Sequence, residues 1–268
     1  MCVYFVFKSV LICVSTKGCM EHISLASQVI FHLGPFPITN SIIATWLVIL
    51  VLVMIGLVAT EKVNIIPKGI QNMMEFVLES LLNLIDSITH DRVKSRAFFP
   101  WIATFFLFIL TANWMELIPG FNAIGLEKLE RGEEVFVPFL RSANTDLNTT
   151  LALAVVSIIA IQIFGIMALG FVKYSKKFIN FSGPVEFFVG ILEIISELAK
   201  IISFAFRLFG NIFAGEVLLV VIAYLVPYVL PVPFYGMELF IGFIQALVFS
   251  MLTLVFMTMA TMSHDEAH

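Results

Sequence analysis

Arg207 sits in the run EIISELAKIISFAFRLFGNIFAGE, from Glu193 to Glu216, among residues apolar enough to belong in lipid. A cation there is expensive, by about 2.5–3.5 kcal/mol at a membrane-helix centre on insertion scales. Its guanidinium keeps its proton in proteins, so Arg207 cannot relay one. It can hold a fixed positive charge in a low-dielectric region, where it attracts a carboxylate and favours that group's proton-free form. A helix turns about 100° per residue, which puts Glu193, Ser196, Lys200, Ser203, Asn211 and Ala214 within roughly 40° of Arg207. Glu216 falls about 180° away, on the back of the same helix. A narrow polar stripe centred on an arginine suits the handling of ions better than burial in lipid.

A second polar set lies on the last apolar segment, where Gln245 sits midway and Glu238 lies on the same face. Carboxylates gain and lose protons where arginine does not, so Glu216 and Glu238 are candidate relay groups. Glu193, Glu197, Lys200 and Ser203, toward the other end of the stripe, suit a vestibule on the opposite side. Each residue also has a purely structural reading. Arg207 could be a scaffold residue, snorkelling or tied to Glu193 or Glu197, Gln245 could hydrogen-bond helices together, and Glu216 and Glu238 could be wet helix ends.

The elements that must position these residues are membrane helices. The chain is 60% hydrophobic and 13% charged, against about 45–50% and about 25% in soluble domains. The fold class read from this is an all-α integral membrane protein with about five crossing helices and one amphipathic interfacial helix. Crossing helices are expected at 39–60, 97–118 and 147–172, followed by two long ones at 184–226, carrying Arg207, and 236–263, carrying Gln245. As one helix, 184–226 would run about 65 Å, twice the hydrocarbon thickness, so it must tilt steeply or fold back. Pro227, Pro231 and Pro233 are read as its end. The segment 68–92 alternates Gln71, Glu75, Glu79, Asn83 and Asp86 with Met74, Val77, Leu78, Leu81 and Ile85, the pattern of a helix lying in an interface or on a partner. The loop 119–145, mixed in charge, is read as surface structure. Residues 20–268 form one membrane domain. Residues 1–19 are too short an apolar stretch to span, and are expected to be a non-native extension before a start at Met20, with a short interfacial segment as the alternative.

Lysine and arginine set the orientation. Lys62, Lys68, Arg92, Lys94, Arg96, Lys173, Lys176 and Lys177 outnumber Lys8, Lys17, Lys128, Arg131 and Arg141 on the other side, the first two of which drop out with a start at Met20. The amino terminus is therefore expected outside and the carboxyl terminus in the cytoplasm. Cys2, Cys13 and Cys19 match neither a metal site nor a disulfide framework. No basic patch suits nucleic acid, no phosphate-binding glycine loop is present, and no internal repeat suggests an inverted-repeat transporter.

The stretch RLFGNIFAGE at 207–216 resembles the signature of the subunit a family of F-type ATP synthases, the stator part of a membrane rotor. The preceding ELAK at 197–200, NTDLNTTLALA at 144–154 and Gln245 ahead of a polar tail extend the resemblance over the chain from Met20. It implies that the last two helices pack, steeply tilted, as a hairpin against a ring of c subunits, with b subunits of the peripheral stalk on the amphipathic helix and cytoplasmic loops. It also implies that Arg207 faces the ring carboxylate with Gln245 and Asn211 as companions. Glu216 and Glu238 match the half-channel open to the outside, Asp146 and Asn144 match polar positions near its entrance, and Glu193 and Lys200 match the cytoplasmic half-channel. The implied protein conducts protons in a bacterial plasma (inner) membrane, carries no cofactor, and leaves nucleotide chemistry to other subunits. An autonomous transporter or channel, and an assembly scaffold, are the competing readings.

Overall fold

The computed structural model describes residues 27–33, 36–61, 66–118, 121, 125–130, 133–178, 183–226 and 230–262. Residues 1–19, Met20 and the tail 263–268 lie outside them. Among the described residues five helices are long and apolar enough to cross a membrane: α1 (Asn40–Glu61), α3 (Arg92–Glu116), α4 (Leu147–Leu169), α6 (Pro184–Leu225) and α7 (Pro231–Ala260). A shorter amphipathic helix, α2 (Ile70–Thr89), and a connector helix, α5 (Phe171–Phe178), complete the set. The protein is an all-α integral membrane protein. Lipid offers no partner for backbone N–H and C=O groups, so each apolar run must satisfy its own as a helix.

The boundaries differ from the expected ones for local reasons. Helix α2 stops at Thr89, short of 92, because His90 takes a left-handed conformation (φ 53°) and returns its N–H to the Asp86 carbonyl. Asp91 then caps the next helix, accepting the Val93 N–H at 2.8 Å, so α3 begins at Arg92 rather than 97 and carries the basic cluster on its first turns. Helix α4 ends at Leu169, short of 172, since Gly170 adopts φ +80° and breaks the run. The run 184–226 does not fold back: α6 is one uninterrupted helix of 42 residues. Pro231 and Pro233, expected to terminate the preceding segment, instead open α7 ahead of residue 236. Proline loses no helical hydrogen bond in a first turn. Two antiparallel hairpins also form, β1 (Val29–Leu33) with β2 (Phe36–Thr39) ahead of α1, and β3 (Gly125–Glu130) with β4 (Glu133–Pro138) within the 119–145 loop.

The described residues form two compact units, with the boundary falling inside the long helices. One comprises those up to 58, in 107–150 and in 208–246. Its small-residue core joins Ala44 and Val48 of α1 to Ala112 and Met115 of α3, with Phe121 and Ala143 from the loops. The other comprises those in 59–106, 151–207 and 247–268. It is packed by aromatics: Phe98 of α3 lies edge-on to Phe164 of α4 at 5.1 Å, and Phe249 of α7 meets Phe105 at 5.7 Å and Phe204 at 5.1 Å. Ser157 and Thr253, fully buried, share a hydrogen bond at 2.8 Å between α4 and α7. Within this unit α2 buries Leu81 and Ile85 and half-buries Met74, Val77 and Leu78, the apolar face its periodicity marks out.

Candidate functional site

Arg207 closes the segment of α6 that belongs to the second unit, and its side chain is exposed. Its Nη2 donates to Ser203 Oγ, one turn back, at 3.3 Å. Among the described residues it forms no ion pair. The carboxylates that could have neutralised it are committed elsewhere: Glu193 pairs with Lys177 at 2.8 Å and Glu197 with Lys200 at 2.8 Å. The Lys200 ammonium lies over the Phe256 ring, 4.8 Å from its centroid. Neither glutamate to which a scaffold reading could tie Arg207 pairs with it. Among the described residues, this permanent charge on a membrane helix is held by a serine hydroxyl.

The first unit holds the other polar set. Asn211 donates to Gln245 Oε1 at 2.7 Å, joining α6 to α7, while the buried Gln245 Nε2 has no partner among the described residues. Glu238 is buried against Gly215, where a β-carbon would come within 2.6 Å of its Cδ. Only glycine lets the carboxylate approach the α6 backbone so closely. Neighbouring Glu216 keeps a buried carboxylate oxygen, Oε2, without a partner among the described residues.

Two residues that sequence reasoning left without a role join them. Glu116, at the end of α3, feels the charges of Glu216, Glu238 and Arg141, and Glu216 in turn feels Arg141. The result is a cluster of charges drawn from α3, the loop before α4, α6 and α7, in which Arg141 acts on Glu116 and Glu216, and Glu238 on its two fellow carboxylates. The only sequence signal for Glu116 and Arg141 was their place on the same expected side of the membrane as Glu216 and Glu238.

Asn144, fully buried, donates to Asn113 Oδ1 at 2.6 Å, and Asn113 donates to the Gly242 carbonyl at 3.0 Å. Trp114 adds a second bond from α3 to α7, its indole donating to the Leu239 carbonyl at 3.2 Å. Asp146 is buried and caps α4, accepting the Asn148 N–H at 2.9 Å. The structure thus brings Asn211 together with Gln245, and Glu216 with Glu238. It gives Asn144 a partner on α3 and Asp146 a local one, and leaves Arg207 exposed.

The sequence comparisons agree with one another. The model of the family described as ATP synthase A chain matches residues 42–258. A protein of Moorella thermoacetica, named ATP synthase subunit a, is 35% identical over 227 residues, which cover 85% of this chain and 93% of that one. A Campylobacter jejuni protein of the same name is 34% identical over 225 residues, covering 83% and 89%. A third, from Trichlorobacter lovleyi, is 33% identical over 252 residues, covering 93% and 97%. With the signature at 207–216 lying inside the matched region, the chain belongs to the ATP synthase A chain family.

Proposed function

We propose that this chain is the stator proton channel of an F-type ATP synthase, with two offset half-channels that carry protons to and from carboxylates on a rotating ring of c subunits. The observation that carries the reading is Arg207, an exposed cation on a membrane helix whose neighbouring glutamates are both paired to lysines. A ring carboxylate arriving opposite it would find a fixed positive charge and give up its proton. The same charge disfavours a hydrated proton moving directly between the half-channels.

The outer half-channel runs past Glu116, Glu216 and Glu238, carboxylates that feel one another's charge, with Asn144 and Asp146 nearer its mouth. Asn211 and Gln245 complete the surface that meets the ring. The inner one begins toward the other end of α6, at Ser203, Lys200, Glu197 and Glu193. The long helices α6 and α7 would lie tilted as a hairpin along the ring, and α2 with the cytoplasmic loops would receive the b subunits. The chain performs no nucleotide chemistry itself. Its place is a bacterial plasma membrane, with the amino terminus outside and the carboxyl terminus in the cytoplasm.

The test is ATP-driven proton pumping in membranes carrying Arg207→Ala, with the assembled complex quantified in the same preparation. The expected result is loss of pumping with the complex intact. Pumping that survives refutes the mechanism, and loss of the complex itself returns Arg207 to a structural role.

A further inference from the structure

The two glutamates below Arg207 are held in opposite ways. Glu193 is tied to another element: its partner, Lys177, belongs to the connector α5. That connector is itself fastened to α4 through Tyr174, which is 4% exposed. The Tyr174 ring lies on Gly165, where a β-carbon would come within 2.8 Å of Cζ, and its hydroxyl donates to Gln162 Oε1 at 2.5 Å. Burial first, then the charges of Glu197 and Glu193, push the Tyr174 hydroxyl up to about 12, so it stays a neutral donor across the physiological range. Lys177–Glu193 and Tyr174–Gln162 are thus two fastenings of one short helix.

Glu197 is different. It is 9% exposed, and its partner Lys200 lies one turn along the same helix. The ion pair itself lies within one helix, and it meets another element through the Lys200 ammonium over the Phe256 ring of α7, so the burial of the carboxylate is a desolvation cost offset only by that ammonium. Its second oxygen, Oε2, is buried without a partner among the described residues. A buried carboxylate oxygen in that state is a place for a water or a proton. The charged and titratable groups around it are Lys200 and Glu193 from its own helix and Tyr174 from α5, with Lys177 committed to Glu193.

We propose that Glu197, and not Glu193, is the carboxylate that passes protons on the cytoplasmic side, while Glu193 is a positioning residue that anchors α5 beside it. This rests on the proton-channel reading above. The assignment divides one vestibule into a carrier and a clamp, and it makes Tyr174 and Lys177 part of the clamp.

The experiment is passive proton conduction through the membrane sector of the assembled complex, after removal of the soluble sector. Glu197→Gln is expected to lower conduction by about tenfold or more, the scale on which a positioned acid or base acts. Glu193→Gln and Lys177→Gln, which loosen the clamp, are expected to cost no more than about threefold, and Glu197→Asp, which keeps the acid, to restore most of the loss. Glu193→Gln falling as far as Glu197→Gln, or Glu197→Gln conducting like the wild type, overturns the proposal. If Glu197→Gln does not assemble, the pair Glu197→Asp and Glu193→Gln decides: normal conduction in the first and a tenfold loss in the second overturns it. Arg207→Ala, assayed for ATP-driven pumping before the soluble sector is removed, separates the two levels. If it still pumps, the channel reading falls; if it does not pump and Glu197→Gln conducts normally, only the assignment of Glu197 falls.

Discussion

Asn113 offers a quantitative test of how the outer polar network is held. Its side chain accepts from Asn144 at 2.6 Å and donates to the Gly242 carbonyl at 3.0 Å, so Asn113→Ala removes two hydrogen bonds between elements. Such bonds in membrane proteins contribute about 0.6 kcal/mol on average and up to about 1.7. Together they are worth about 1–3 kcal/mol. The larger consequence falls on Asn144, which is fully buried and whose Oδ1 already lacks a partner among the described residues. Stranding its amide adds about 1–3 kcal/mol, for a total of about 2–5 kcal/mol. At about 2–4 °C per kcal/mol, the thermal midpoint of the purified complex should fall by roughly 5 °C or more.

The double variant Asn113→Ala/Asn144→Ala sharpens the point, because it removes the stranded group along with its partner. It should be no less stable than Asn113→Ala alone, so the two single costs should fail to add by about 1 kcal/mol or more. Additive midpoint shifts would refute this reasoning. So would an Asn113→Ala complex that melts with the wild type.

Gly215→Ala places a β-carbon on the Glu238 carboxylate, 2.6 Å from Cδ. Overpacking of this kind costs about 1–3 kcal/mol, and proton conduction should drop in an assembled complex as Glu238 is pushed aside. Gly56→Ala, where nothing lies within 4 Å, should conduct normally. Tyr174 gives a pH signature: its hydroxyl is raised to about 12 in the folded chain against about 10 when unfolded. Its contribution is therefore complete below about pH 10 and lost as pH rises toward 12. Unfolding midpoints measured over that range should decline more steeply for the wild type than for Tyr174→Phe, and parallel slopes would contradict the assignment.

The chemistry of Arg207, Asn211 and Gln245 was legible in the sequence because the bilayer restricts the backbone so severely. Once a run must be helical, spacing alone assigns faces, and α6 spaces its polar groups about a turn apart. Helix ends were less legible. The hydropathy of Phe171 and Val172 continues past Gly170, so only the left-handed glycine reveals the break. Pro231 carries the same sign whether it stops one helix or starts the next. Glu116 and Arg141 lie far in sequence from Glu216 and Glu238, and only the fold makes them neighbours. The same is true of Lys177 and Glu193, whose pairing depends on how α5 lies against α6.

The joint between α2 and α3 has a mechanical meaning. Only His90 and Asp91 separate the two helices. The bend is bolted on both sides, by the Thr89–Ser95 hydroxyl contact and by Asp91, whose carbonyl accepts from both the Ser95 N–H and the Ser95 hydroxyl at 2.9 Å. A hinge this short has almost no slack. Sideways load placed on α2 is delivered to the root of α3 as bending moment rather than absorbed as swivel. In the stator role proposed above, load received on α2 would reach α3 with little loss.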